Sequence, residues 1–168
     1  DWSVVWVGVG AIGGAGLAAS ALLGDWRHLA PWRTRPRWLA LAVPAAALTV
    51  AVSIGYVWLL PGEAGPEETA TLPVWIAAVV VAPLFEEWLS RGVAWRAAST
   101  MAGDRAALWL TAILFAFLHG LAGHLLAVPH RLFSGVVYGW LRWRSGSLLP
   151  GIVAHAAHNA LVIGLFEG

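Results

Sequence analysis

The stretch LPVWIAAVVVAPLFEEWLSR, residues 72–91, decides how this chain is read. From Leu72 to Phe85 only two prolines interrupt a hydrophobic run; Glu86 and Glu87 then stand side by side, with Arg91 four residues on. Such a run belongs in lipid, where one charged side chain costs roughly 3 kcal/mol on insertion scales. The default reading of the carboxylates is a functional site with partners on other segments. Two further apolar segments carry candidates, Phe115-Ala-Phe-Leu-His119 and His155-Ala-Ala-His158-Asn159.

Composition sets the class. Of 168 residues, 60% are hydrophobic and 11% charged, and mean hydropathy is +0.74. A soluble domain carries about 25% charged residues, so this chain cannot cover itself with groups that hold water. It reads as a polytopic membrane protein. A net charge of +1 with no basic stripe argues against nucleic acid as a partner. The absence of Cys excludes disulfides, thiolate metal sites and a cysteine nucleophile. The chain opens on Asp1 rather than Met and so reads as excised, with room for a further helix upstream. The first apolar run lacks a basic leader and is too long for a signal sequence, which makes it a membrane span.

A spanning helix needs about 20 mostly apolar residues. The expected spans are Trp2 to Leu23, Trp38 to Leu60, Leu72 to about Ser99, Ala106 to Leu121, Pro129 to Trp143, and a last one from near Ser147 to Phe166. The fifth is short enough to be re-entrant instead. In the first, Gly10 and Gly14 form a weak small-residue packing step. The expected fold is all-α, a transmembrane bundle of about six spans around a polar cavity. Residues 1–168 form one domain, with a catalytic core at 72–168 and two additional spans within 1–60. With the Arg27 to Arg37 loop in the cytoplasm, nine of ten arginines fall on that side, leaving Arg131 outside with the acidic loop holding Glu63, Glu67 and Glu68. The carboxylate pair then lies toward the cytoplasmic end of the third helix. Tryptophans beside arginines (Trp26, Trp32, Trp38, Trp95, Trp143) are expected as interfacial anchors. His124 and His130 read as exterior polar residues, and His28 belongs to the basic loop.

On a helix, Glu87 and Arg91 share a face and can pair in the favourable acid-first order. Glu86 points about 100° away. That asymmetry suggests one glutamate neutralised by arginine and another available to act as a general base. Pro83 is expected to strip the Val79 carbonyl of its donor and kink or loosen the helix. Each group also has a plainer reading. Glu86, Glu87 and Arg91 could mark the solvated end of a span, and His119 could bond to a neighbouring helix. His155 and Asn159, four apart, could be interhelical glue worth about 0.6 kcal/mol. One wet cavity accounts for all three segments at once. His158 faces off the His155–Asn159 stripe and borders the site at most. Competing chemistries lack their parts: there is no His-Glu-x-x-His and no Gly-x-Ser-x-Gly, and Asp25 and Asp104 sit in loops, which disfavours an aspartyl dyad. Glu and His remain, with Asn and a second His as candidate oxyanion stabilisers.

The ordered set Glu86-Glu87-x-x-x-Arg91, Phe115-x-x-x-His119 and His155-x-x-x-Asn159 resembles the CPBP family, the CAAX-protease-like and bacteriocin-processing intramembrane proteases. The approach Gly139-Trp-Leu-Arg-Trp-Arg-Ser-Gly-Ser-Leu-Leu-Pro is also similar to that family, and the match covers about Pro73 to Gly168. The resemblance implies that Glu86 and His119 position and deprotonate a water. It implies that His155 and Asn159 hold the oxyanion, and that Glu87 and Arg91 support the site. The family has been described both as metal-dependent and as glutamate-dependent. In a metal reading, Glu86, His119 and His155 would ligate zinc with an open position for water. The favoured reading needs no cofactor.

The function expected from the sequence is hydrolysis of a peptide bond in a membrane-associated peptide or protein, in the cell membrane with the site toward the cytoplasm. The bilayer and that substrate are the expected partners. The alternative is a non-enzymatic immunity or scaffold protein that binds a peptide in the same cavity. A proton-relay transporter is less supported, since no inverted repeat is visible.

Overall fold

The structure is a computed structural model describing residues 32–60, 71–121 and 125–166. The expected first span, the acidic loop, Trp26, His28 and His124 lie outside those residues. Among the described residues all regular structure is helical.

Helix α1 (Pro36–Leu59) starts with proline in its first turn after an extended Arg35, where a missing N–H costs nothing. Its buried positions, Ala42, Ala46, Thr49, Val50 and Ser53, recur at helical spacing and form one inward stripe. The outward face is equally apolar, with Leu41, Val43 and Leu48 exposed. A helix hydrophobic all round suits either a protein core or lipid; this one packs one face inward and leaves the other uncovered by the described residues.

Residues 72–121 form a nearly unbroken helical run. Short helices α2 (Leu72–Ile76) and α3 (Ala82–Glu87) alternate with wide π-helical turns at Ala77–Val81 and Trp88–Ala94, and α4 (Trp95–Leu121) follows. Around Pro83 the helix is loosened, as expected, into a wide turn. Ala82 N–H reaches back five residues to Ala77 O, and this wider register carries the chain past a proline that cannot donate. The real break is Gly103, with φ 80° and ψ 170°, a conformation that glycine reaches without a Cβ clash. It falls between the expected third and fourth spans.

A 3₁₀ turn at Leu125–Ala127 leads into α5 (Val128–Ser145), a regular helix of 18 residues. Left-handed Gly146 (φ 71°) ends α5, its N–H bonding to Arg142 O at 2.9 Å. Ser147 Oγ then accepts from Leu149 N–H at 3.2 Å and starts α6 (Leu149–Phe166).

Helix α4 packs on α5, α1 lies against α5 and α6, and α6 also meets α3 and the Ala77–Val81 turn. Glycine permits the closest approach. A Cβ on Gly135 would sit 3.1 Å from the Ala112 backbone, and one on Gly139 would sit 2.7 Å from Leu108. The small-residue step that packs among the described residues is thus Gly135/Gly139 on α5. Two runs, Pro36–Leu59 and Leu72–Leu121, are long and apolar enough to cross a membrane. Trp95 is not an interfacial anchor: it is buried against Ala107 and Leu108, with the Arg142 guanidinium 5.7 Å above its ring.

Candidate active site

The two π-helical turns flank α3, and α3 ends on Glu86 and Glu87. Glu87 is 1% exposed and Arg91 is 0% exposed, with Arg91 Nη1 to Glu87 Oε1 at 3.1 Å. The pair expected from the sequence therefore forms, but buried rather than at a solvated helix end. A buried arginine needs further partners, and it has them. Nη2 donates to Gly135 O at 2.8 Å, and the guanidinium lies 4.6 Å from the Phe115 ring. The carbonyl of Arg91 accepts from Arg142 Nε at 3.0 Å, so α3, α4 and α5 are locked around one cation.

Glu86, His119 and His155 converge from three elements. Glu86 Oε2 lies 3.7 Å from His119 Nε2 and 3.9 Å from His155 Nε2. These distances exceed a direct hydrogen bond and suit partners that share a water. Glu86 Oε2 is buried and has no hydrogen-bond partner among the described residues.

The opposite nitrogens fix the tautomers. His119 Nδ1 is 2.8 Å from Phe115 O; a carbonyl only accepts, so Nδ1 carries the proton. His155 Nδ1 is 3.2 Å from Glu87 Oε1 and donates to that carboxylate. In a neutral ring each Nε2 is then an acceptor, and both face Glu86. Tyr138 stacks on His155 at 5.1 Å and 19°, while Phe115 meets the same ring edge-on at 5.5 Å. The imidazole cannot turn.

Asn159 donates from Nδ2 to Ala78 O at 2.8 Å, pinning α6 to the wide turn ahead of Glu86. One N–H of its amide is thereby used. His158, expected at most to border the site, turns toward α1: Nδ1 lies 2.9 Å from Thr49 Oγ1, which itself donates to Ala46 O at 3.0 Å. It is interhelical glue. His130 departs from expectation too. It is 9% exposed and packs on Tyr56 at 5.3 Å, because α5 begins at Val128 and carries it into the bundle rather than leaving it in a loop.

Four contributors give no advance signal in the sequence: Tyr138, Gly135, Gly151 and Arg131. A Cβ on Gly151 would meet Glu87 Oε2 at 3.0 Å, so glycine lets the carboxylate approach α6. Arg131 acts electrostatically on Glu86 from the start of α5. Only the alternation of small and aromatic residues along α5 hints at its close packing.

The Glu/His/His donor set is of a type that zinc accepts, and Nδ1 hydrogen bonds usually accompany such ligands. The spacing does not fit. Two ligands of one tetrahedral zinc lie about 3.3 Å apart, closer than either separation here, and no group of three His, Asp or Glu among the described residues is disposed to hold a metal ion.

Two carboxylates and two imidazoles from three helical elements thus meet within an apolar helical bundle. Residues 68–161, more than half of the chain, match the family described as type II CAAX prenyl endopeptidase Rce1-like, and the chain belongs to that family. The ordered motifs read from the sequence all lie within the matched region. No curated protein and no solved structure gives a significant match.

Proposed function

We propose that this protein is an intramembrane endopeptidase of six spans that cleaves a membrane-associated peptide or protein by water activated on Glu86 and His119. The convergence of Glu86 with the Nε2 atoms of His119 and His155 carries this reading. A water between Glu86 Oε2 and His119 Nε2 donates one hydrogen to each acceptor and turns a lone pair toward the scissile carbonyl. As the oxygen attacks, Glu86 takes the proton and later delivers it to the leaving amine.

The oxyanion needs donors that are already in place. His155 supplies one when protonated on Nε2, its charge answered by Glu87 beneath Nδ1. Two carboxylates are then matched by Arg91 and His155, so the buried set is neutral, which a low-dielectric site favours. The second N–H of the Asn159 amide supplies the other. Glu87 and Arg91 position His155 and touch no substrate. No step of this mechanism passes through a metal. The arginines at the start of α1 and the end of α5 support a site toward the cytoplasmic face of the cell membrane.

The test is cleavage of a peptide library by the purified protein, with and without chelator, beside the Glu86→Gln variant. Chelator-resistant cleavage that is lost in the variant is expected. Full activity in Glu86→Gln would remove the mechanism.

A further inference from the structure

Away from the active site, the first turn of α1 and the last turn of α5 enclose an open cavity of about 530 Å³. Arg33, Arg35, Arg37 and Arg144 line it together with Thr34 and Trp38, and no carboxylate does. None of these arginines has an ion-pair partner among the described residues. Thr34 Oγ1 is buried beside it without a hydrogen-bond partner among the described residues. A second cavity of about 390 Å³ lies between the same two helices, lined by Leu41, Pro44, Leu48, Val136 and Trp140. The two follow one another along the helices, Trp38 lining the first and Trp140 the second. On α1 the order Trp38, Leu41, Leu48 descends at helical spacing, and on α5 Arg144, Trp140 and Val136 descend likewise. Trp38 of the arginine-lined cavity meets Trp140 of the apolar one edge-on at 6.1 Å.

We infer that this groove binds an anionic phospholipid, its phosphate among the arginines and one acyl chain along α1 and α5. Several guanidinium groups and a hydroxyl suit the many oxygens of a phosphate ester better than a lone carboxylate. From Trp38 to Leu48 the helix rises about 15 Å, half of a hydrocarbon core about 30 Å thick, so the groove matches one leaflet. Basic pockets between membrane helices hold anionic headgroups by this chemistry.

The experiment reads lipid retained by the full chain in uncharged detergent, by native mass spectrometry, after mixing with phosphatidylglycerol or phosphatidylcholine. Inorganic phosphate serves as a separate probe. About tenfold preference for phosphatidylglycerol is expected. The paired substitution Arg37→Gln with Arg144→Gln should remove the preference, and Arg96→Gln with Arg105→Gln should not. Leu48→Trp, at an exposed position, should weaken retention of long-chain lipid while leaving phosphate binding unchanged. Equal retention of both lipids, equal loss in the control pair, or phosphate binding as tightly as lipid would each overturn the site.

Discussion

Glu87 Oε1 accepts the Nδ1 proton of His155 at 3.2 Å, on the same oxygen that binds Arg91. One buried oxygen thus orients an imidazole and neutralises an arginine. The adjacent carboxylate, Glu86, is left to face two imidazole edges.

Removing that oxygen should damage both fold and chemistry. Glu87→Ala leaves Arg91 buried without its counter-charge, a change that costs about 3–5 kcal/mol. Thermal unfolding followed by helical circular dichroism should show the loss, and turnover should fall with it. Unchanged stability would mean that Arg91 is held by Gly135 O and the aromatic rings alone.

Much of the bundle is legible in the sequence because its helices are long and uniformly apolar. The pairing of Glu87 with Arg91 is legible too, since it depends only on i,i+4 spacing. Convergence of Glu86, His119 and His155 is not a periodicity signal; the order of the motifs carries it through a family resemblance. Tyr138 gives no signal because an aromatic residue on an apolar helix looks the same whether it packs on leucine or on a buried imidazole. His130 reads as exterior because it borders a loop, and one more residue at the helix start is enough to turn it inward. Loosening at Pro83 is legible because proline lacks a donor, but the five-residue register that the backbone adopts there has no local signature.

Tyr138 should act through its ring. Its hydroxyl is only 3.5 Å from Thr49 Oγ1, a long contact, so Tyr138→Phe should cost below about 1 kcal/mol and preserve turnover. Tyr138→Ala removes the surface stacked on His155 and should cost about 3–5 kcal/mol. Steady-state cleavage and unfolding of the two variants separate ring from hydroxyl.

Gly151→Ala puts a methyl 3.0 Å from Glu87 Oε2. The carboxylate must shift by a few tenths of an ångström, and His155 shifts with it. Since misplacement by about 1 Å can cost 10²-fold, turnover should fall about tenfold with helicity intact. Wild-type turnover would show that the carboxylate yields without moving His155.

Asn159 has two duties that can be separated. Asn159→Ala should lower turnover by about two to three orders of magnitude and destabilise the fold by about 1 kcal/mol through loss of the Ala78 bond. His158→Gln, which keeps a polar partner for Thr49, should leave turnover largely unchanged. Comparable losses in the two variants would reduce Asn159 to interhelical glue.

The most direct test of water activation is a double-mutant cycle on single-turnover cleavage with Glu86→Gln, His119→Ala and the pair. Groups that act together on one water lose nearly everything singly, so the double variant should be no slower than either single one. Wild-type turnover in Glu86→Gln, or losses that multiply as independent effects, would contradict a shared water between Glu86 and His119.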